Sequence, residues 1–359
     1  MNILWVQKAE TSGQGGDEVY NRKLLEHLSK THEIDEFTVP ELSTRFKIAN
    51  LMRGLPHNRI SFDSADTVKL LRARILTGSY DAVIVSWEQL DTLAWKLGQP
   101  IILILHNIAG NAMREIYPWN PIAKIAAMQA NFWERHIYRS QQIAAIGVLS
   151  IRDYCWVRKC VPGKAVALIP PGVPPLAELA PDAIVRRELL LSGSYDWSAK
   201  RRDIIAFARA YAGIPARARV FHDQALPPVV ESLLASRVIV PSQLAEAIRF
   251  GVIADTFSSG YKLKTMYYAA NNCLTLTFAD VEADFTAIPG HEFFIRRIRS
   301  VAEIESIMAE VERLDPIMLR AKLTEFKRHC AEIFSWSAAA DSLSALVDQV
   351  TFDARVGRK

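Results

Sequence analysis

The chain has 359 residues, of which 50% are hydrophobic and 23% charged, and its formal net charge is +4. This length predicts about two domains with a substantial apolar core. The mildly basic balance argues against a nucleic-acid-binding protein and is compatible with an anionic small molecule or an anionic membrane surface.

The four cysteines are scattered along the chain and form no CxxC pair. Their spacing relative to the histidines matches no zinc motif, and we predict a reduced, cytoplasmic protein. The N-terminal segment has no basic region before its apolar run, so we interpret it as a strand rather than a signal peptide. No apolar stretch reaches the ~18 residues that a membrane-spanning helix needs.

Short apolar segments alternate with amphipathic ones over the first half of the chain. Uninterrupted apolar segments bounded by turns are typical of parallel strands that are covered on both faces. We therefore predict a doubly wound α/β domain over residues 1–170, with a helix at 17–30. Its predicted strands are 2–6, 81–86, 100–106, 143–150 and 164–170.

A segment rich in proline, 170–181, interrupts this alternation and predicts a linker. The pattern then resumes, which predicts a second α/β domain over 171–334 with a helix at 201–212. Another helix is predicted at 336–350. In the second domain we predict a strand and turn at 187–197 and short strands at 218–223, 237–241, 272–278 and 291–296.

The glycine-rich segment TSGQGGDEVYNRKL (11–24) connects the first predicted strand to the first helix. Gly13, Gly15 and Gly16 allow a backbone to approach a phosphate or a sugar at the helix N-terminus. The dinucleotide fingerprint GxGxxG would need glycine where Glu18 stands, which disfavours a nicotinamide dehydrogenase. The alternative is a flexible loop that binds no ligand.

His106 and Asn107 follow a buried strand in LILHNIAG (103–110), at the sheet edge where open α/β sheets bind ligands. A histidine there is suited to act as a general base or to hydrogen-bond a substrate hydroxyl. The alternative is that the pair satisfies loop backbone.

The segment SGSYDWSAKRRD (192–203) places a glycine turn at Gly193 before Trp197 and three consecutive cations. Cations at a helix N-terminus are unfavourable without an anion between them, because that end carries positive partial charge. Arginine suits a pyrophosphate by bidentate contact, and lysine by its point charge. The alternative is a solvated helix start with Asp203 as counterion. The cations are Lys200, Arg201 and Arg202.

The segment SSGYKLKT (258–265) repeats this arrangement, with Gly260 before Lys262 and Lys264. We predict that the two elements converge on one diphosphate, as found in a nucleotide sugar. Cations at that place would stabilise the negative charge that develops on the diphosphate as the glycosidic bond breaks.

A series of motifs resembles, in the same order, those of the GT-B glycosyltransferases that use nucleotide-sugar donors (the glycosyltransferase group 1 and family 4-like proteins). The series extends over nearly the whole chain and includes a helix with a central Glu134, followed by Ser150 and Asp153. The motifs are GQGGDEVYNRKLLEHL, ILHN, ANFWERHIYRSQQIAAIGVLSIRDY, ALIPPGVPP, GSYDWSAKRRDIIAF, GYKLKTMYYAANN and FSWSAAADSL.

The sequence departs from this family's pattern in the donor helix. Tyr267 stands where relatives carry the Glu that bonds the nucleotide ribose, and Ser259 stands where many carry another Glu. Asn272 replaces the glycine that closes the motif. The resemblance therefore implies that the diphosphate cations are kept and that ribose recognition is altered.

The resemblance implies two Rossmann-like domains that face a cleft. The acceptor domain would comprise 1–170 and a returning helix within 335–359, and the donor domain 171–334. The implied reaction moves a sugar from a UDP- or GDP-sugar to a carbohydrate or a polyprenyl-linked acceptor, in bacterial surface polysaccharide synthesis. It would need neither a metal nor a cofactor, because basic side chains and helix N-termini neutralise the diphosphate.

Roles follow for individual residues. An inverting mechanism would use His106 as the base, with Glu88 or Asp17 as alternatives, whereas a retaining mechanism would depend on Arg201 and Lys262 at the leaving group. Both remain open. The expected acceptor contacts are Asn107 and Glu88. The expected donor contacts are Gly15, Gly16, Gly193, Trp197, Lys200, Ser259, Gly260, Lys264 and Tyr267. The alternative from another class is a non-catalytic GT-B-like subunit that binds a sugar nucleotide or a partner enzyme.

Residues 112–139 interleave aromatic side chains such as Trp119 and Phe132 with basic ones. This pattern suits the boundary between lipid headgroups and acyl chains, and it predicts peripheral contact with the inner membrane. The basic stretch 53–74 would widen the patch. The alternative is that 122–139 is an ordinary amphipathic helix packed on the sheet.

Overall fold

The computed structural model describes residues 1–9, 15–97, 99–215 and 217–356. Gly13 and the rest of 11–14 in the predicted glycine loop lie outside the described residues. The chain divides into two compact units. The first comprises 1–171, 259–261 and the segment from Trp336 onward, and the second comprises 172–258 and 262–335.

The first unit contains a six-stranded parallel sheet with the strand order β2-β1-β3-β4-β5-β6. Its strands are β1 (Asn2–Lys8), β2 (Glu33–Val39), β3 (Ala82–Ser86), β4 (Ile101–Leu105), β5 (Ile143–Val148) and β6 (Ala165–Leu168). Its helices are α1 (Gly16–Leu28), α2 (Thr44–Met52), α3 (Ala65–Gly78), α4 (Asp91–Lys96), α5 (Ala109–Ile116), α6 (Pro121–Arg139), α7 (Ile151–Cys160) and α15 (Trp336–Val356).

Both faces of this sheet are covered, which explains why its central strands are apolar throughout. On one face, α1 and α15 pack on side chains such as Trp5 and Ile104. On the other, helices α3, α4, α6 and α7 pack on side chains such as Val85 and Leu103. The C-terminal helix therefore belongs to the core of the first unit.

The second unit contains another six-stranded parallel sheet, with the order β12-β11-β10-β7-β8-β9. Its strands are β7 (Ile184–Leu191), β8 (Arg219–His222), β9 (Arg237–Val238), β10 (Ala247–Ile253), β11 (Cys273–Thr277) and β12 (Ile295–Arg297). Its helices are α8 (Ser198–Ala212), α9 (Pro228–Leu234), α10 (Pro241–Leu244), α11 (Leu263–Ala270), α12 (His291–Phe294), α13 (Ala302–Glu312) and α14 (Pro316–Ile333). The predicted class of two doubly wound α/β domains is confirmed.

Three local predictions need correction. Strand β10 was not predicted, because Arg249 and Gly251 interrupt its apolar residues, although the whole strand is buried. Strand β2 was not predicted, because its sequence EIDEFTV carries acidic residues and lies at an edge of the sheet, where one side stays exposed. The segment 291–296 was predicted as a strand, but 291–294 form helix α12. There the ring of Phe294 stacks on Phe326 at 4.5 Å between centroids, and this packing overrides the β-propensity of phenylalanine.

The position of Asn272 explains one departure from the family pattern. Its φ is +60°, in the left-handed region that glycine and asparagine adopt most readily. Its side-chain oxygen accepts a hydrogen bond of 2.6 Å from the buried Lys327 Nζ. The backbone thus has the conformation that a closing glycine would supply, and the asparagine adds a side-chain contact.

Candidate functional site

In the first unit, polar and aromatic side chains gather where β1, β3 and β4 end. The strand order reverses between β1 and β3, and open α/β sheets bind ligands outside the carboxyl ends of strands at such a point. Lys8 ends β1, Ser86 ends β3, and His106 directly follows β4. Sequence analysis identified only His106 of these three.

Trp87 lies at the centre of this group. His106 stacks on its ring with 5.0 Å between centroids, and Lys8 Nζ lies 3.2 Å from the ring centroid. Lys8 also pairs with Asp17 at 3.3 Å. The φ of Trp87 is +117°, which is strained for a residue with a side chain and is the kind of outlier that concentrates at functional sites.

His106 is held as a neutral ring. Ser86 Oγ donates to Asn21 Oδ1 at 2.6 Å and lies 3.0 Å from His106 Nε2. Because the Ser86 hydroxyl proton points to Asn21, Ser86 Oγ accepts a hydrogen bond from His106 Nε2–H. The Nδ1 atom of His106 is then unprotonated and carries the basic lone pair of the ring. Burial lowers the pKa of His106 to about 4, so the ring is uncharged at neutral pH.

Glu88 is a second candidate base at this edge. It begins the short 3₁₀ turn Glu88–Leu90 after Trp87, and it is 2% exposed. Burial raises the pKa of Glu88 to about 7, and its Oε2 has no hydrogen-bond partner among the described residues. A carboxyl group with such a pKa can exchange a proton near neutral pH, whereas His106 is a weak base.

A buried ion cluster supports the segment after His106. Glu134 of α6 accepts a hydrogen bond of 2.7 Å from the Ala109 amide at the start of α5. Arg59 donates to Asp91 at 2.6 Å and lies 3.9 Å from Glu134. Burial raises the pKa of Glu134 to about 8, against the opposing effect of the Arg59 charge. The cluster orders the N-terminus of α5, three residues beyond His106.

In the second unit, the corresponding edge collects the predicted cations. The strand order reverses between β7 and β10, and the loops after both strands contribute to the group. Tyr268 joins the two strand ends, because its hydroxyl accepts from the Ser192 amide at 3.0 Å and donates to the Val252 carbonyl at 2.9 Å. One of the two tyrosines of α11 is therefore a structural bridge.

Two lysine ammonium groups are buried at the start of α11. Lys262 is the N-cap residue, and its Nζ lies 3.5 Å from Asp255 Oδ2 and 3.8 Å from the Phe257 ring centroid. Lys264 Nζ lies 4.0 Å from the Tyr195 ring centroid, buried and without a hydrogen-bond partner among the described residues. The two glycine-turn elements lie side by side, since Gly193 packs against the Lys264 side chain. Their convergence on one diphosphate stays a prediction.

Asp255 follows β10 and organises these cations. Burial alone would raise its pKa, but the charges of Lys262, Lys264 and Lys200 outweigh burial and lower it. In turn, burial lowers the pKa of Lys262 to about 8, and the Asp255 charge opposes that shift. Burial also lowers the pKa of Lys264. Sequence analysis missed Asp255, because the strand that precedes it, β10, was not predicted.

The cations of the segment 200–202 have different surroundings. Lys200 is half-buried, and its charge lowers the pKa values of Asp255 and Lys262. Arg201, in contrast, is exposed. Arg202 pairs with Asp203 at 2.7 Å. Lys200 rather than Arg201 therefore contributes to the cation group. Trp197, which is 48% exposed, meets Phe257 edge-on at 5.1 Å.

Tyr267 is half-buried against an apolar cluster that includes Leu190 and Tyr268. Burial and a hydrogen bond to Asp223 raise the pKa of its hydroxyl. Ser192 Oγ donates to the same carboxylate at 2.8 Å. The hydroxyl of Tyr267 thus has an internal partner, Asp223, which follows β8.

The remaining predicted residues lie in loops and at helix starts. Gly15 is the N-cap of α1, which begins at Gly16, and the Gly15 amide donates to Glu18 at 3.1 Å. Asn107 is half-buried after β4. Ser259, which is 9% exposed, and Gly260, whose φ is +69°, belong to the short segment that groups with the first unit.

Within the described ranges, no group of three or more His, Cys, Asp or Glu side chains is arranged to hold a metal ion. None of the helices in the described part of the chain is long and apolar enough to cross a membrane.

No protein-family model matches the chain, and no curated protein sequence matches it. Solved structures do match over nearly full length. Sucrose-phosphate synthase from Thermosynechococcus elongatus has a TM-score of 0.66 at 16% identity, covering 98% of this chain and 99% of its own.

The Anabaena protein HepE, solved with UDP and glucose, has a TM-score of 0.63 at 10% identity, with 97% of this chain and 100% of its own covered. Trehalose-6-phosphate synthase OtsA has a TM-score of 0.60 at 10% identity, and the match covers 97% of this chain and 99% of OtsA. The chain has the GT-B fold. The GT-B assignment, predicted from the series of motifs, is therefore confirmed for the fold.

Proposed function

We propose that this GT-B chain is a glycosyltransferase that uses a nucleotide-diphosphate sugar. The observation that carries the proposal is the group of Lys200, Lys262 and Lys264 beyond the carboxyl ends of β7 and β10, where the strand order reverses. The buried Lys264 ammonium has no hydrogen-bond acceptor among the described residues, which is costly unless an anion binds there. HepE, which has a similar fold, was solved with UDP and glucose.

Two of these lysines have a direct role in the proposed reaction. When the bond between the anomeric carbon and the diphosphate oxygen breaks, the electron pair leaves with the diphosphate. Lys262 and Lys264, together with the N-terminus of α11, stabilise this growing negative charge. We expect the ring of Tyr267 to lie against the nucleoside, by stacking or by a hydroxyl contact with the ribose. Trp197 offers a further exposed aromatic surface.

The acceptor is proposed to bind at the carboxyl edge of the first sheet, near His106, Asn107 and Glu88. Trp87 presents an aromatic ring there, and aromatic side chains combine apolar area with directional contacts. An inverting reaction would use Glu88 or His106 Nδ1 to take the proton from the acceptor hydroxyl. A retaining reaction would need no such base, and the lysines would carry the catalysis.

The finer proposals concern substrate and place. We propose a UDP- or GDP-sugar as donor, and a glycan or a polyprenyl-linked oligosaccharide as acceptor, in the synthesis of a bacterial surface polysaccharide. Transfer would take place at the cytoplasmic side of the inner membrane. We also propose that catalysis needs no metal, because the lysines and the N-terminus of α11 supply the positive charge.

A thermal-shift screen over nucleoside diphosphates tests the donor proposal. A ligand present at 100 times its Kd stabilises the folded chain by about 2.7 kcal/mol. We expect UDP or GDP to raise the Tm of the wild type, and Lys264→Met to lose most of that shift. Lys322→Met, at an exposed lysine of the second unit, is the control. No shift with any nucleotide would contradict the proposal.

Donor hydrolysis without acceptor separates an enzyme from a binding subunit. We expect slow release of nucleoside diphosphate that persists when EDTA is added. Binding without any hydrolysis, and without transfer to glycan acceptors, would instead favour the non-catalytic subunit, which the replacement of the family glutamates by Tyr267 and Ser259 motivates. Loss of hydrolysis with EDTA and its return with a divalent cation would contradict metal independence.

A further inference from the structure

Helix α6 has a second group of apolar side chains that is largely exposed. Four of its large apolar side chains are between 67% and 76% exposed. At 3.6 residues per turn they fall within an arc of roughly 120°. They are Ile122, Ile125, Met128 and Phe132.

The opposite face of α6 is the one that packs on the sheet. Its buried residues include Ala127, Ala130, Glu134 and Ile137, which centre on the far side of the helix from the exposed arc. An ordinary amphipathic core helix would be polar where α6 exposes this second apolar face. The simpler alternative for 122–139 therefore accounts for only one of the two apolar faces.

Helix α2 lies beside this surface at its C-terminal end. Its only buried residue is Asn50, which donates to the carbonyls of Ile60 and Asp63 and so anchors the helix. Gln129 of α6 donates to the carbonyl of Gly54 at 2.8 Å, which places the end of α2 beside α6. On the side of α2 away from Asn50, the exposed apolar side chains are Ile48, Leu51 and Met52, the last 83% exposed.

We call these seven side chains the α2–α6 surface, together with Trp119, which is 92% exposed just before α6. The charged side chains around it are mostly cationic. Arg45, Arg53, Lys124 and Arg135 are exposed, whereas Glu134 is the one acidic residue within the two helices and is buried. Glu41 precedes α2 and pairs with Lys47.

We propose that the α2–α6 surface binds an anionic phospholipid bilayer, with its apolar side chains among the upper acyl chains and its cations at the headgroups. Large exposed apolar patches mark protein or membrane interaction sites, and the charge of this one favours an anionic partner. A second copy of the chain fits less well, because a twofold contact would oppose the same cations. The proposal goes beyond the sugar-transfer reaction and does not rest on it.

Flotation with vesicles tests the surface. We expect the full chain to float with vesicles that contain phosphatidylglycerol, to float less as salt is raised, and to remain below with pure phosphatidylcholine. Ile125→Ser should lower the partition coefficient about tenfold, because an isoleucine leaves the acyl region. Ile317→Ser is the matched control, since both isoleucines are 69% exposed and Ile317 lies in the second unit.

A charge variant gives a second readout. Lys124→Gln should lower the partition coefficient about fivefold, from the ~1 kcal/mol of each cation near an anionic surface. Lys30→Gln, at an exposed residue after α1 on the other face of the sheet, should leave it unchanged. Circular dichroism melting checks that each variant is folded.

Three results would overturn the proposal. The first is no flotation with anionic vesicles at low salt, and the second is equal flotation of Ile125→Ser and the wild type. The third is a dimer in light scattering that Ile125→Ser dissociates, which would assign the surface to a second copy. Donor hydrolysis measured without vesicles reports separately on the sugar-transfer proposal.

Discussion

Gly193 and Lys264 are packed so closely that a Cβ on the glycine would lie 3.0 Å from Lys264 Cε. Gly193 also has a φ of +80°, a conformation that side chains rarely adopt. The glycine turn after β7 therefore makes room for one lysine of α11. The two elements that the sequence places far apart form a single cation site.

Gly193→Ala should weaken nucleotide binding and lower stability, because the new methyl group displaces Lys264 and strains the turn. The strain alone costs about 1–2 kcal/mol. Urea unfolding and nucleotide titration measure the two effects. Gly213→Ala, at a helix end with a φ of −81° and an ordinary contact of 3.5 Å, should be nearly neutral in both. Equal effects of the two substitutions would contradict this account.

Lys262→Ala should lower the turnover of sugar transfer by ~10²–10³, the usual effect of removing one electrostatic donor at a developing charge. Lys200→Ala should lower turnover more than Arg201→Ala, because Lys200 is half-buried and its charge acts on Asp255, whereas Arg201 is exposed. Steady-state kinetics of the three variants give the order. A defect in Arg201→Ala that equals that of Lys262→Ala would restore Arg201 as a leaving-group residue.

Donor affinity should fall as the pH rises through about 8, where Lys262 loses its proton in the free protein. Asp255→Asn removes a negative charge that raises the pKa of Lys262, so this decline should move to lower pH. Isothermal titration with UDP or GDP across this pH range measures both. A decline that stays in place in Asp255→Asn would show that another group titrates.

If the reaction is inverting with Glu88 as the base, kcat/KM should rise with pH through about 7, as the buried carboxyl loses its proton. Glu88→Gln should remove this dependence along with most activity. His106 should add no step near pH 7, because burial lowers its pKa to about 4. A rise near pH 7 that survives in Glu88→Gln would exclude Glu88.

Asn272→Ala should destabilise the second unit through two effects. The left-handed backbone costs about 1–2 kcal/mol for alanine, and the lost hydrogen bond to the Lys327 ammonium about 1.5–3 kcal/mol. Asn272→Gly keeps the backbone conformation and loses only the hydrogen bond, so it should be the milder variant in chemical denaturation. Greater loss in the glycine variant would show that backbone strain is unimportant here.

The two α/β units and several positions of the candidate site were predictable from the sequence. Continuous apolar segments such as β4 mark strands that are covered on both faces, a local property that a single chain displays. His106, Lys262 and Lys264 were found because strand ends and glycine turns are local signals too. The succession of motifs predicted the GT-B fold, which the comparison of structures bears out.

Which groups meet, and what charge they carry, depends on how distant segments of the chain pack together. Asp255 lies among three lysines because β7 and β10 are neighbours in the sheet, although they are far apart in the chain. The pKa values of His106 and Glu88 are shifted chiefly by burial, which depends on atoms from many segments. Whether the apolar residues of α6 are buried could not be predicted from the sequence. Hydrophobic periodicity shows which residues are apolar, but burial depends on the segments that pack against them.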